Sequence, residues 1–214
     1  MGKGSKSTSV SSLIHPTAII EDGVLIGAGT QIWDNVHIRH GTSIGENCII
    51  GEKTYIAYNV SIGNLVKINA FVYICTAVTI EDGVMIAAGT IFTNDKFPRA
   101  TTADLKRLRS SEPDENTLPT LVRQGATIGA GCTIGCGITI GRWAMIGMGS
   151  VVTSSVPDFH LALGSPAKSI GIVCKCGQVI HKFSKNDRKV FEKDCSVCNL
   201  QYEISTEQQT VREL

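Results

Sequence analysis

The chemically most specific pattern in the chain is four cysteines near its C-terminus. Cys174-Lys-Cys176-Gly177 is followed, eighteen residues after the glycine, by Cys195-Ser-Val-Cys198. Two thiolate pairs at that separation suit a tetrahedral Zn²⁺ held by Cys174, Cys176, Cys195 and Cys198. Four protein ligands leave no open coordination position, so such a site would be structural. The first pair is CxC instead of CxxC, and only it has the following glycine, so a metal-free hairpin stands as the alternative. Short strands through 178–183 and 200–204 are expected to frame the two knuckles as a zinc-ribbon-like appendage. Of the other four cysteines, Cys48 and Cys132 read as packed, inert thiols. Cys75 is expected to point outward as a passive surface or interface thiol, because no histidine adjoins it in sequence to activate it.

Five histidines could move protons. His15, His160 and His181 each have a bland structural reading. His37 and His40, flanking Ile38, are the better candidates for a general base. A zinc carbonic anhydrase of the γ class needs three histidines converging from two subunits, which a His37/His40 pair does not reproduce. The stretch 93–121 (TNDKFPRATTADLKRLRSSEPDENTLPTL, preceded by Phe92) carries Lys96, Arg99, Lys106, Arg107 and Arg109 against Asp95, Asp104, Glu112, Asp114 and Glu115. The opposite charges balance, but the basic residues come first and could face a phosphate. Gly164-Ser-Pro166-Ala167-Lys168 reads as a turn with a rigid centre, whose lysine is either a phosphate contact or a solvated turn residue.

These residues must be positioned by a repeat. Isoleucine occupies every sixth position from Ile14 to Ile86, Phe92 takes the next rung, and the phase resumes at Val122, Ile128, Ile134, Ile140, Ile146 and Val152. A period of six fits neither a helix nor an amphipathic strand. It fits a hexapeptide solenoid, an all-β, left-handed parallel β-helix in which each hexad makes one face of a triangular prism. Four residues after each rung stands a small or β-branched residue, such as Thr30, Val36, Thr42 or Cys48, which suits a narrow interior. With three hexads per turn, the first arm makes four to five coils and the second two more. Because the phase survives the gap, residues 93–121 are extruded as a loop at one corner. A loop of that length inside a compact repeat is usually functional or disordered.

The expected organisation is a disordered tail over 1–12, the β-helix over 13–170, the appendage over 171–204 and a second tail over 205–214. The formal charge of +1 gives no global pull toward nucleic acid or a membrane surface. No apolar run approaches the roughly 20 residues that span a bilayer. The first residues lack the apolar segment of a secretory signal, and Lys6 breaks a myristoylation pattern. A cytoplasmic protein with reduced thiols is expected.

The ladder with its trailing Gly-x-Pro-Ala-Lys resembles the hexapeptide-repeat acyltransferases. Three stretches, Val66–Tyr73 (VKINAFVY), Ile80–Val84 (IEDGV) and Phe92–Ala100 (FTNDKFPRA), together with the late cysteine pairs, resemble the sugar-nucleotide 3-N-acetyltransferases of bacterial surface-polysaccharide pathways. The nearest type acetylates UDP-2-acetamido-3-amino-2,3-dideoxy-glucuronate, and related enzymes act on dTDP-3-amino-6-deoxyhexoses. The resemblance implies a homotrimer with active sites between subunits, acetyl-CoA as co-substrate and a nucleotide sugar as acceptor. It places Asn94 at the reacting centre, with Arg99 and Tyr73 beside the substrate. It places pantetheine along Gly131 and Gly149, and the nucleotide end of coenzyme A near Pro166, Ala167 and Lys168. It implies direct attack by the sugar amine without a protein base. Ala87-Ala88 stands where this family type often has Gly-Pro, which bears on the sugar pocket. Other acyl transfers on the same fold, an O-acetyltransferase among them, and a silent scaffold subunit are the competing readings.

Overall fold

The computed structural model describes residues 12–184 and 189–214. The N-terminal tail expected over 1–12 therefore lies outside the described residues except for its last position. Each rung isoleucine ends a strand of two or three residues, and twenty such strands run from Leu13–Ile14 to Val151–Val152. Consecutive strands belong to three different parallel sheets. Residue i pairs with i+18 throughout the uninterrupted arm, as in Leu13↔Gln31, His37↔Tyr55 and Lys67↔Met85. That register is three hexads per turn, and it gives seven coils, the last built from two strands. The architecture is the hexapeptide β-helix of the sequence pattern.

The first face contains Gln31–Ile32 and its successors up to Met145–Ile146; the second runs from Ile19–Ile20 to Val151–Val152; the third runs from Leu25–Ile26 to Thr139–Ile140. Rungs Ile32 to Val152 are buried in one continuous core. Sealing each isoleucine in it contributes about 1.5–3 kcal/mol before entropy is counted. The small inward residues also satisfy the backbone. Thr30 Oγ1 donates to the Gly45 carbonyl (2.8 Å) and accepts from the Cys48 N–H (3.0 Å), and Thr42 bonds Ala57 in the same way. Buried hydroxyls thus knit one coil to the next instead of standing unpaired. Cys48 and Cys132 sit in this position, and burial pushes both thiols up.

Cys75 departs from expectation. It is 4 % exposed and belongs to the core, and burial raises its thiol to about 12, so it is inert for a different reason from the one expected.

The phase is kept across the interruption. Thr79↔Leu121 and Ile91↔Thr133 pair as though 24 residues had never intervened, since their separation of 42 is the ordinary 18 plus that insertion. The insertion leaves at the corner between the second and third faces and folds as a hairpin arm, with bridges Asp95↔Thr117 and Thr101↔Leu108.

After the last coil the first face does not stop. His160–Gly164 pairs in parallel with Met145–Ile146, then turns antiparallel onto Ala167–Val173, which pairs with Val179–Lys182. The boundary expected at 170/171 thus falls inside a strand, and solenoid and appendage share one sheet. Residues 205–214, expected as a tail, instead contribute strand Thr210–Glu213 to an antiparallel sheet with Gln201–Ser205 and Val190–Asp194. Among the described residues no helix is long and apolar enough to cross a membrane.

Candidate functional site

Asn94 follows Phe92, the last buried rung before the arm, and Thr93, whose hydroxyl donates to the Ile134 carbonyl of the next coil (3.1 Å). Its own carbonyl accepts from Leu118 N–H (2.9 Å), closing the neck of the arm. Backbone on both sides is therefore pinned, while no hydrogen bond among the described residues engages the half-buried carboxamide. Its neighbours Thr93, Asp95 and Lys96 wall a hollow of about 560 Å³ together with Cys136, Thr153 and Ser154 among others, and Asn94 itself is not among the lining residues. A carboxamide with free donor and acceptor on a pinned stretch of backbone can meet a small polar ligand at the neck of the arm.

Tyr73 lies on the second face, where it pairs with Ile91, three residues before Asn94. Its ring is 45 % exposed and stacks on Tyr55 (5.3 Å, 7° between planes), which meets His37 edge-on. Arg99 stands out on the arm, with Nη1 donating to the Pro98 carbonyl (2.9 Å). The arm lies along its own corner: Tyr58, two coils below, has its phenol raised first by burial and then by the nearby Glu112 carboxylate.

The two candidate bases are elsewhere. His40 occupies the same corner column as Asn94 but three coils lower, and coils are about 4.8 Å apart, so roughly 14 Å separates them. Both histidines are engaged by Glu21: His37 Nε2 at 3.1 Å, His40 Nδ1 at 2.9 Å and the His40 N–H at 3.0 Å. Arg39 pairs with the same carboxylate. Led by the His40 backbone bond, these donors pull the Glu21 carboxyl down to about 2. The cluster is a closed ion-pair network and does not reach Asn94 within one chain.

The residues expected to hold coenzyme A do come together, at the opposite edge of the second face. Gly131 and Gly149 occupy the corner between the first and second faces in successive coils, with φ of 67° and 68°. Gly149 N–H donates to Ala130 and Gly131 N–H to Ala88. A Cβ built on either would meet nothing within 4 Å, so this edge is open to an approaching chain. Just above it, Gly164 N–H donates to Ser150 Oγ (3.2 Å), which places the hairpin turn beside the track. In that turn Gly164 pairs with Ala167 and Leu163 with Lys168, around a cis Ser165–Pro166 peptide. Ala167 is buried, while Lys168 is exposed and free to meet a phosphate. Sequence spacing alone had no means of joining Ser150 to this turn.

The four late cysteines converge. Their sulfurs all lie within 4.8 Å of one another, with Cys174–Cys198 at 3.3 Å and Cys176–Cys195 at 3.5 Å. Zn–S bonds of about 2.3 Å put tetrahedral sulfurs roughly 3.8 Å apart, so the set fits zinc. Both knuckles turn tightly, at Gly177 (φ 87°) and Asn199 (φ 60°). Asn199 thus serves where the second glycine is missing. The N–H groups of Cys198 and Val197 point at the Cys195 sulfur and draw its thiol down to about 6, while the Cys198 thiol, against the pull of the Leu200 N–H, is pushed up to about 12 by the Cys174 sulfur, so the four thiols do not ionise alike. Tyr202, buried in the appendage core, brings its hydroxyl to Cys174 Sγ (3.2 Å) and accepts from Lys175 N–H (3.1 Å).

Comparison with known proteins agrees with the repeat. A model described as bacterial transferase hexapeptide (six repeats) matches residues 17–57 and 119–154, and one described as the hexapeptide repeat of succinyl-transferase matches 41–76. The chain is 46% identical over 57 residues to the dTDP-3-amino-3,6-dideoxy-alpha-D-galactopyranose 3-N-acetyltransferase of Aneurinibacillus thermoaerophilus, a match covering 27% of this chain and 30% of that protein. The match therefore spans less than a third of the curated relative's length. Among solved structures, the acetyltransferase domain of PglB from Neisseria gonorrhoeae, in complex with acetyl coenzyme A, is 17% identical with a TM-score of 0.48, over 76% of this chain and 59% of that one. PerB from Caulobacter crescentus, in complex with CoA and GDP-perosamine, is 23% identical with a TM-score of 0.37, over 76% and 58%. These two likenesses are too loose to transfer a ligand.

Proposed function

We propose that this chain, by fold and by repeat a hexapeptide-repeat protein, is an acetyl-CoA-dependent N-acetyltransferase acting on the 3-amino group of a nucleotide-linked amino sugar. The observation that carries this reading is the Asn94 carboxamide, fixed at the neck of an in-phase extruded arm and unengaged by its own chain. The curated relative's activity on a dTDP-3-amino sugar supports the acceptor class.

The neutral sugar amine attacks the thioester carbonyl. A C–N bond forms, the C–S bond breaks, and the amine's proton leaves with the coenzyme A sulfur. The Asn94 side-chain oxygen accepts one N–H of the amine and so aims its lone pair, while Tyr73 and Arg99 flank the sugar nucleotide. Gly131 and Gly149 offer an open edge to pantetheine, and the Pro166–Ala167–Lys168 turn meets its nucleotide end. Holding both partners in line removes much of the barrier, about 7–11 kcal/mol in favourable cases, without a protein base. His37 and His40, locked on Glu21, take no part.

Within one chain Asn94 and the glycine edge stand at opposite edges of the second face. This supports a homotrimer in which neighbouring prisms bring the two together. The exposed Trp33 and Phe71 at the glycine edge suit such a contact. The Cys174–Cys176–Cys195–Cys198 set would hold a structural zinc, whose charge fixes the thiolates and closes the appendage. A cytoplasmic location accords with the need for acetyl-CoA.

The three stretches of resemblance favour a UDP-3-amino-uronate, probed against a dTDP-3-amino-deoxyhexose, the class the curated relative favours. The test is acetyl-CoA turnover with both, followed by release of free thiol. Turnover of either supports the reading and ranks the acceptors. No turnover, together with no coenzyme A binding, overturns it.

A further inference from the structure

Charge is segregated along the extruded arm. Residues 96–109 hold Lys96, Arg99, Lys106, Arg107 and Arg109 against Asp104 alone, a net of +4 in a chain whose total is +1. The arm's other acidic residues stand nearer the solenoid. Asp95 pairs with Thr117 at the neck, Asp114 accepts from the Thr117 N–H through its carbonyl (3.0 Å), and Glu112 is close enough to Tyr58 to raise its phenol.

The far end is a closed turn. Thr101 pairs with Leu108, the Thr102 N–H donates to the Arg107 carbonyl (3.0 Å), and the Leu105 N–H donates to that of Thr102 (3.0 Å). The Arg109 N–H donates to the Ala100 carbonyl (3.0 Å), which sets Arg109 beside Arg99. Behind the turn Arg109 braces the arm, with Nη1 donating to the Phe97 carbonyl (3.1 Å) and Nη2 to Asp114 Oδ2 (3.1 Å). Two leucines stand in the open on this turn: Leu105 is 80 % exposed and Leu108 78 %. Leu105 also holds φ 59°, a left-handed position that disfavours any side chain. It lines one hollow with Arg99 and Arg109, so apolar and cationic groups share one surface. No hydrogen bond or ion pair among the described residues engages the side chains of Lys106 and Arg107. Asp104 is occupied by the Thr102 hydroxyl (2.5 Å) and the Lys106 N–H (3.2 Å).

A solvated charged loop needs no leucine at its tip, and neither does a site for a free phosphate. Exposed leucines flanked by unpaired cations fit the boundary of an anionic bilayer. There apolar side chains enter below the headgroups, while the long basic side chains keep their charges at the lipid phosphates. We propose that the tip of the arm docks the protein on an anionic lipid surface, with Leu105 and Leu108 inserting and Lys106 and Arg107 meeting lipid phosphates. The turn is already tied by its own hydrogen bonds, so little ordering opposes binding. Asn94 lies at the other end of the arm and is left uncovered. The inference does not depend on the acetyl-transfer reading.

The experiment is flotation of the full chain with phosphatidylcholine vesicles, with and without phosphatidylglycerol, at two salt concentrations. The variants are Leu105→Ser/Leu108→Ser and Lys106→Gln/Arg107→Gln. All four side chains are exposed, so both variants should melt with wild type and keep its coenzyme A affinity. Wild type should bind phosphatidylglycerol vesicles at least tenfold more tightly than phosphatidylcholine alone. Each double variant should weaken that binding at least tenfold, and Lys106→Gln/Arg107→Gln should also reduce its salt dependence. Failure of wild type to float with the anionic vesicles overturns the proposal. So does binding that is lost in the charge variant but kept in the leucine variant, which leaves adsorption by charge alone. A changed oligomeric mass in the leucine variant with unchanged flotation makes the tip a contact with a second copy, and overturns it too. Turnover of a soluble amino-sugar nucleotide without vesicles judges the enzyme reading separately.

Discussion

Replacing Gly131 by alanine separates the cofactor edge from the scaffold. At φ 67° any L-residue carries the left-handed penalty, about 1–2 kcal/mol. The new methyl itself meets nothing within 4 Å, so no packing term adds to it. For a chain of this size that cost lowers the unfolding midpoint by about 2–8 °C. Gly83→Ala is a matched control. Its φ is 68° and its nearest neighbour is Gly125 at 3.9 Å, but it lies at the corner between the third and first faces, away from the proposed track. The two variants should melt within a degree or two of each other. They should differ in coenzyme A affinity, because the methyl at 131 stands on the edge proposed for pantetheine. If the methyl displaces pantetheine enough to cost both of its amides a hydrogen bond, at about 0.5–1.5 kcal/mol each, roughly 1–3 kcal/mol is lost, or about 5–150-fold in Kd. Calorimetric titration of coenzyme A and a thermal melt on both variants suffice. Equal coenzyme A affinity in Gly131→Ala and Gly83→Ala would refute the placement of the cofactor along this edge.

Three further outcomes are expected. Asn94→Ala should lower turnover at least tenfold with the oligomer unchanged by light scattering, and near-wild-type rates would remove Asn94 from the reaction. Elemental analysis of chelator-washed protein should find about one zinc per chain, and Cys195→Ser should lose it; metal-free wild type would sink the site. His160 is buried, with Nδ1 at 2.9 Å from Ser169 Oγ and Nε2 at 2.9 Å from the Gln209 carbonyl, and burial lowers its pKa against the opposing pull of Gln209 and Asp158. The folded state therefore binds the proton less readily than the unfolded chain. The stability this gives is present above the unfolded value near 6.5 and is lost as pH falls through it toward the folded one. The unfolding midpoint should fall between pH 7.5 and 5.5 in wild type and fall less in His160→Gln; parallel pH curves would rule His160 out as the cause.

Much of this was legible in sequence because a solenoid is nearly one-dimensional. Each hexad needs only its neighbours 18 residues away, so Ile14 to Val152 could be placed on faces by counting, and the arm could be cut out by the phase it leaves unbroken. The cysteine set was legible too, since tetrahedral coordination ties spacing to geometry. Cys75 was misplaced because its position next to a rung does not reveal that tertiary packing covers the thiol. The strand Thr210–Glu213 was missed because its short, mostly polar run becomes a strand only by pairing with Gln201–Ser205.

Residue order alone thus determined the prism, its rungs and the residues facing each corner, since periodicity is a local property carried by every hexad. Only the tertiary structure decided what meets across segments. It brought Gly164 to Ser150, Gln209 to His160 and Arg109 to Arg99, and it set Glu21 between two histidines. Those contacts depend on where a turn aims its side chains and on how strands of one sheet run on past the last coil, and no period in the sequence encodes either.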